Sequence, residues 1–172
     1  MFKIGDLIVY SGHGICQVDD ICDRTFAGVT KNYYILHPID NNENITISAP
    51  VENSQSSILK IMNREEALDI LESFQQEGAD WIERPQLRNQ VYTKVVQTGE
   101  REKIADVAST LLRKKHELES EDKKLYEQDT RLLTMIENVL FKELAISLET
   151  TYEDVFGQIM DKLELVENSP QP

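Results

Sequence analysis

The sequence predicts an α+β protein in which a small antiparallel sheet precedes an all-helical domain. Three observations carry that reading. The first sixty residues break into short runs of branched and aromatic residues separated by Gly- and Asn-bearing turns, the pattern of strands joined by tight connections. From Asn63 onward the apolar residues recur at three- and four-residue spacing, which is the helical period. Helix-start signals, Asn63 with Glu66 and Thr150 with Glu153, occur in this second part.

Taken in order, "DLIVY" (6–10) is a short strand and "SGHG" (11–14) a turn, because its two glycines permit positive φ. "ICQVDDICDRTF" alternates Ile15, Gln17 and Asp19 against Cys16, Val18 and Asp20. "FAGVTK" supplies a Gly-bearing turn and "NYYILHPI" a further strand. "DNNEN" (40–44) reads as a hairpin connection, and "ITISAP" (45–50) alternates Ile45 and Ile47 against Thr46 and Ser48. Short strands joined this way form a small twisted sheet or a partly closed barrel. An edge strand left unpaired on such a module can receive a partner's strand.

After Pro50 a polar connector leads to the helices. The first, opened by Asn63, places Ala67, Ile70, Leu71 and Phe74 on one face. "EGADWIERP" interrupts it, and Pro85 suits the first turn of the next helix, where its missing N–H is no loss. Three more stripes follow. Residues 100–117 carry Ile104, Val107, Ala108, Leu111 and Leu112; residues 121–146, opened by Ser120, carry Leu125, Leu132, Leu133, Ile136, Leu140 and Leu144. Residues 151–164 carry Tyr152, Val155, Phe156, Ile159, Met160 and Leu163. The expected organisation is a β module at 1–60, a helical module at 61–165 and a disordered tail at 166–172.

Composition narrows function by exclusion. No run approaches the roughly 18 apolar residues of a membrane span, and "MFKIGDLIVY" lacks the features of a secretory signal, so the expected location is cytoplasmic. Cys16 and Cys22 read as reduced structural residues rather than a disulfide or zinc framework. No Gly-rich phosphate loop, HExxH, GxSxG or paired CxxC is present. The expectation is therefore a binding protein, not an enzyme, with no cofactor, metal or small-molecule substrate.

The net charge of −13 argues against indiscriminate binding to phosphates, but its distribution is uneven. Residues 1–80 carry net −8, residues 81–115 net +4 and residues 116–172 net −9. The positive island begins at Trp81, the single tryptophan. By itself Trp81 is either a packed core residue or an interface anchor. Arg113, Lys114 and Lys115, near a helix end, either meet a phosphate or complement the helix dipole.

The pattern "FKIGDLIVYSGHGICQV", then "YYILHP" and "ITISAP", resembles the CarD family of bacterial transcription regulators. Its signature F-x-x-G-D-x-V-V-Y-x-x-H-G, shared with the related module of transcription-repair coupling factors, is met by Phe2, Gly5, Asp6, Ile8, Val9, Tyr10, His13 and Gly14. Farther on, "VASTLLRKK" and "VLFKELA" look like the CarD helical domain, and no motor with a Walker loop follows. The resemblance implies a Tudor-like first domain that holds the RNA polymerase β subunit, partly by strand addition, through Arg24 and the strand of Ile45, Ile47 and Ser48. It implies a helical domain on promoter DNA, where Trp81 wedges at the upstream edge of the bubble and Arg84, Arg88, Arg113 and Lys114 grip phosphates largely independently of sequence. The chain departs from the pattern at Ser11, at Ser48, and at Glu83 and Gln86 after the Trp. The competing expectation is an acidic adaptor that joins two proteins without touching DNA.

Overall fold

A computed structural model describes residues 1–11, 13–40, 44–52 and 57–165. The chain divides into two compact units, Met1–Ile61 and Met62–Pro172. The tail expected at 166–172, Gly12 of the first turn, most of the 40–44 connection and part of the connector after Pro50 lie outside the described residues.

The first unit is a five-stranded antiparallel sheet: β1 (Leu7–Tyr10), β2 (Gly14–Phe26), β3 (Val29–Pro38), β4 (Ile47–Pro50) and β5 (Ile58–Lys60), in the order β4-β3-β2-β1-β5. Its end strands β4 and β5 do not pair with each other, so the sheet is open and the barrel alternative does not hold. Strand β4 is shorter than "ITISAP" suggests and leaves Ile45 ahead of the sheet. The β2–β3 turn is Ala27–Gly28, with φ of 49° and 77°. Two positive φ values match the twist of the flanking strands, and they close the pair Phe26 and Val29. The roughly period-2 alternation along β2 is interrupted by a register shift between Val18 and Asp20, a local irregularity of the bulge kind.

The signature residues hold this sheet together. Gly5 takes φ of 94°, open to glycine at no steric penalty, while its N–H bonds Val18 O at 2.7 Å. The Asp6 carboxylate accepts the Lys3 N–H at 2.8 Å. Phe2 lies edge-on to Tyr34 with centroids 5.8 Å apart, and Tyr10 stacks on His13 at 5.2 Å. Ile8, Cys16, Val18, Tyr34, Leu36, Ala49 and Ile58 form the core.

Burial pushes the Cys16 thiol up to about 11, so at neutral pH it stays protonated and unreactive. Cys22 is only half-buried. A neutral thiol-reagent titration of folded protein is expected to modify Cys22 readily and Cys16 only after denaturant is added; equal rates in the folded state would overturn this.

The second unit contains α1 (Arg64–Ser73), α2 (Pro85–Gln97), α3 (Arg101–Ser120), α4 (Glu127–Ile136), a π-helical segment (Glu137–Phe141), α5 (Lys142–Ser147) and α6 (Tyr152–Lys162). Asn63 caps α1 in a full capping box with Glu66, and Pro85 opens α2. Two starts differ from expectation. Ser120 is the last residue of α3, its hydroxyl donating back to Glu117 O at 2.6 Å, and α4 begins only after Tyr126. The cap of α6 is Thr151, not Thr150; its hydroxyl accepts the Asp154 N–H at 3.1 Å. At α6 two adjacent hydroxyls compete for one role, which spacing does not resolve, whereas α4 opens at Tyr126 with no side-chain cap at all.

The stripes converge on one core. Phe141, fully buried, is its aromatic hub, with Phe74, Phe156 and Tyr152 ring centroids at 6.0, 6.3 and 6.5 Å. Glu143, 2% exposed, is held by the Met62 N–H at 3.0 Å and by Arg101 at 2.6 Å. Burial raises its carboxyl above the usual range, an effect opposed by Arg101.

Candidate functional site

In the helical unit the site is the α1–α2 loop that carries Trp81. Side chains from the helices grip this loop by its backbone carbonyls. Thr110 Oγ1 donates to Ala79 O at 2.6 Å, Tyr92 to Asp80 O at 2.5 Å and Arg113 Nη2 to Gln76 O at 3.2 Å. Arg88 Nη1 donates to Ile82 O at 2.8 Å. At Gly78 the loop runs so close to α3 that a Cβ would meet Thr110 Oγ1 at 2.5 Å and Asp106 O at 2.8 Å. Glycine is required there because the backbones touch. A loop held at this many points presents its aromatic residue with little entropy left to lose.

Trp81 itself is half-buried, packed against the helical core. Its ring lies on the Arg88 guanidinium, whose Cζ is 4.2 Å from the ring centroid, and Lys114 Nζ is 5.1 Å from the same centroid. Both are cation–π distances. The same Arg88 carbon lies 5.5 Å from the ring of Tyr126. Arg88 is 1% exposed and is bonded by Asp129, itself 2% exposed, through Nε at 3.0 Å and Nη2 at 2.6 Å. The Asp129 hydrogen bond holds the guanidinium above its ordinary pKa against the opposing effect of burial. This two-pronged geometry is the strong form of an Arg–carboxylate pair.

The expected phosphate-gripping set therefore changes. Arg88 is a correction: its guanidinium is enclosed and its donors are committed to Asp129, Ile82 O and Glu83 O, so it supports Trp81 from within and offers nothing to a phosphate. Arg84 is exposed at the start of α2. Arg113 is partly exposed and ties the loop to α3. Lys114 is shared between Trp81 and Glu117, the latter at 3.5 Å. The structure thus brings Trp81, Arg88, Lys114 and Arg113 together around one loop, with Arg84 at its end.

On the sheet, register sorts the expected docking residues by face. Pairing places Arg24 opposite Lys31, Cys22 opposite Tyr33 and Pro50 beyond it, and Ile35 opposite Ser48. Alternation puts these on one face and leaves Tyr34, Ala49, Leu36 and Ile47 on the other, which is the core face. Arg24 and Ser48 thus share the outer face. Ile45 is 39% exposed, and the Ile47 side chain packs against the core. Strand β4 ends the sheet, and among the described residues no strand pairs with its outer edge. The pair Arg24 and Lys31 sets two cations directly across from each other, a repulsive arrangement that a partner's anion would relieve.

Asp129 and Tyr126 belong to the site although spacing alone did not single them out. The signal was present for Asp129, which occupies a core-facing position between Leu125 and Leu132–Leu133 of the same stripe. Among the described residues no cluster of His, Cys, Asp and Glu is arranged to hold a metal ion, and no helix is long and apolar enough to cross a membrane.

Comparison with known proteins matches residues 2–62 to the model of the CarD-like/TRCF RID domain. The chain is also 30% identical over 128 residues to "Putative transcription factor YdeB" of Bacillus subtilis (strain 168), an alignment that covers 73% of this chain and 82% of that protein.

Proposed function

The chain belongs to the CarD-like family, and from that premise we propose that it is a transcription regulator that docks on RNA polymerase through its sheet and steadies the melted promoter with Trp81. A role in transcription with RNA polymerase as partner follows from the family. The finer assignments are ours: the β subunit as the docking point, reached through Arg24, Ser48, Ile45 and the outer edge of β4, and promoter DNA as the surface met by the helical unit. Ile47 contributes to that edge through its backbone.

The observation that carries the DNA reading is the Trp81 loop. A flat ring is held by clamped backbone on a cation that Asp129 already neutralises. It offers an apolar wedge to a base step, with no group that identifies a base. Arg84 and Lys114 supply phosphate contacts beside it. So small a basic patch on an acidic chain binds DNA weakly alone; tethering through polymerase raises the local DNA concentration and makes the contact effective. A protein that holds the melted state more tightly than the closed one shifts the melting equilibrium by that difference, tenfold for roughly 1.4 kcal/mol.

The deciding experiment measures open-complex lifetime on purified polymerase and promoter. Trp81→Ala is expected to shorten the lifetime several-fold with polymerase retention unchanged, and Arg24→Glu to lower retention itself. Unchanged lifetime with Trp81→Ala, in a variant that melts like wild type, would sink the wedge. The adaptor reading gains from the enclosure of Arg88, which removes one cation from the DNA-facing set, and it is the reading left standing by that outcome.

A further inference from the structure

Beside the Trp81 loop lies a recess of about 370 Å3 lined by Pro85, Tyr126, Glu127, Gln128 and Arg131. Its wall is Tyr126, 62% exposed, an unusual position for so large a ring. The ring is nonetheless held in place, because the enclosed Arg88 guanidinium lies over one of its faces. Much of the ring stays open to solvent. Among the described residues the Tyr126 hydroxyl has no hydrogen-bond partner, and the residue caps α4 without a side-chain bond. The Gln128 amide is oriented by donation to Pro85 O at 2.7 Å. Arg131 pairs with Glu127 on the surface, both more than three-quarters exposed; such a pair is worth little and yields readily to a stronger anion.

Trp81 and Tyr126 share one cation, so their ring centroids lie within about 10 Å of each other. At roughly 3.4 Å per nucleotide along a strand, that is a reach of about three nucleotides. A wedge at Trp81 therefore leaves the recess within reach of the adjoining nucleotides.

We propose that this recess takes one unpaired nucleobase of the strand separated at the promoter edge, stacked on the exposed ring of Tyr126 with its phosphate on Arg131. The proposal rests on the reading that the helical unit meets melted DNA. The recess is shallow and open to solvent, which suits one flat ring laid against Tyr126 rather than an enclosed ligand. Stacking on an aromatic ring tolerates any base, which suits a surface that reads no sequence. Removing a base from a stack is cheapest where it is already unpaired. A single-base recess therefore favours the melted promoter over the closed one, which supplies the differential affinity that Trp81 alone would have to provide.

The test uses the full chain with polymerase on a promoter, and on a set of promoters each lacking one base near the upstream edge. Tyr126→Ala and Tyr126→Leu, the second keeping apolar bulk without a flat ring, are expected to shorten open-complex lifetime about five-fold or more. On one of the abasic promoters wild type and variants should give the same short lifetime, because the base is already gone. Variants that match wild type while Trp81→Ala shortens the lifetime would overturn the recess and leave the wedge intact. Equal shortening on every abasic promoter, or loss of polymerase retention in its place, would assign Tyr126 to folding or to a protein partner and also overturn it. If Trp81→Ala is without effect too, both readings fall together.

Discussion

Asp129→Ala is expected to destabilise the helical unit by about 3–5 kcal/mol, because it strands a buried guanidinium. Arg88 is 1% exposed, and with Asp129 gone its remaining acceptors are the carbonyls of Ile82 and Glu83. Against a typical total of about 5–15 kcal/mol, that loss populates unfolded chain. Urea unfolding of the full chain checks it. The double variant Arg88→Met with Asp129→Ala should recover much of the loss, since replacing both charges removes the uncompensated one. Yet the double variant should still fail in the open-complex assay, because Trp81 and Tyr126 have lost the cation they share. A double variant as unstable as Asp129→Ala alone would refute the assignment of Arg88 as the stranded charge. Full activity in the double variant would show that the stack is structural only.

Phe141→Ala is the second large effect, again expected near 3–5 kcal/mol. Phe141 is fully buried and meets the rings of Phe74, which caps the end of α1, and of Phe156 in α6, as well as the core of its own segment, so truncation opens a cavity bordered by elements that cannot collapse independently. The measurement is the urea midpoint of the second unit, with the sheet as an internal reference. A loss below about 1 kcal/mol would mean the neighbouring aromatics close the gap.

Much of this architecture could be read from spacing, and the places where it could not have physical causes. The stripe of Ala67, Ile70, Leu71 and Phe74 predicted a buried face, and all four are buried. The signature residues of the first strands proved to be architectural: Phe2 packs on Tyr34, Gly5 turns the chain, and Tyr10 stacks on His13. A signature of this kind identifies a fold more securely than a contact surface. That Arg88 is enclosed is not directly legible in the sequence, because a sequence shows charge without showing partners. Its position one turn before Tyr92, with Asp129 likewise inside an apolar stripe, was the available clue that two opposite charges face one another in a core. Tyr126 escaped notice because it precedes its helix rather than belonging to the periodic pattern, and the helix start itself was displaced from Ser120.

Trp81 is the single tryptophan of the chain, and that makes the site its own optical reporter. Red-edge excitation interrogates one indole, lying on a guanidinium and clamped by neighbours from two helices. Its emission responds to whatever slides between ring and solvent, with no introduced label and no second emitter to subtract. Bare fork-shaped DNA, which carries no indole, can therefore be titrated directly against the protein, and quenching read as occupancy of the wedge before polymerase is ever added.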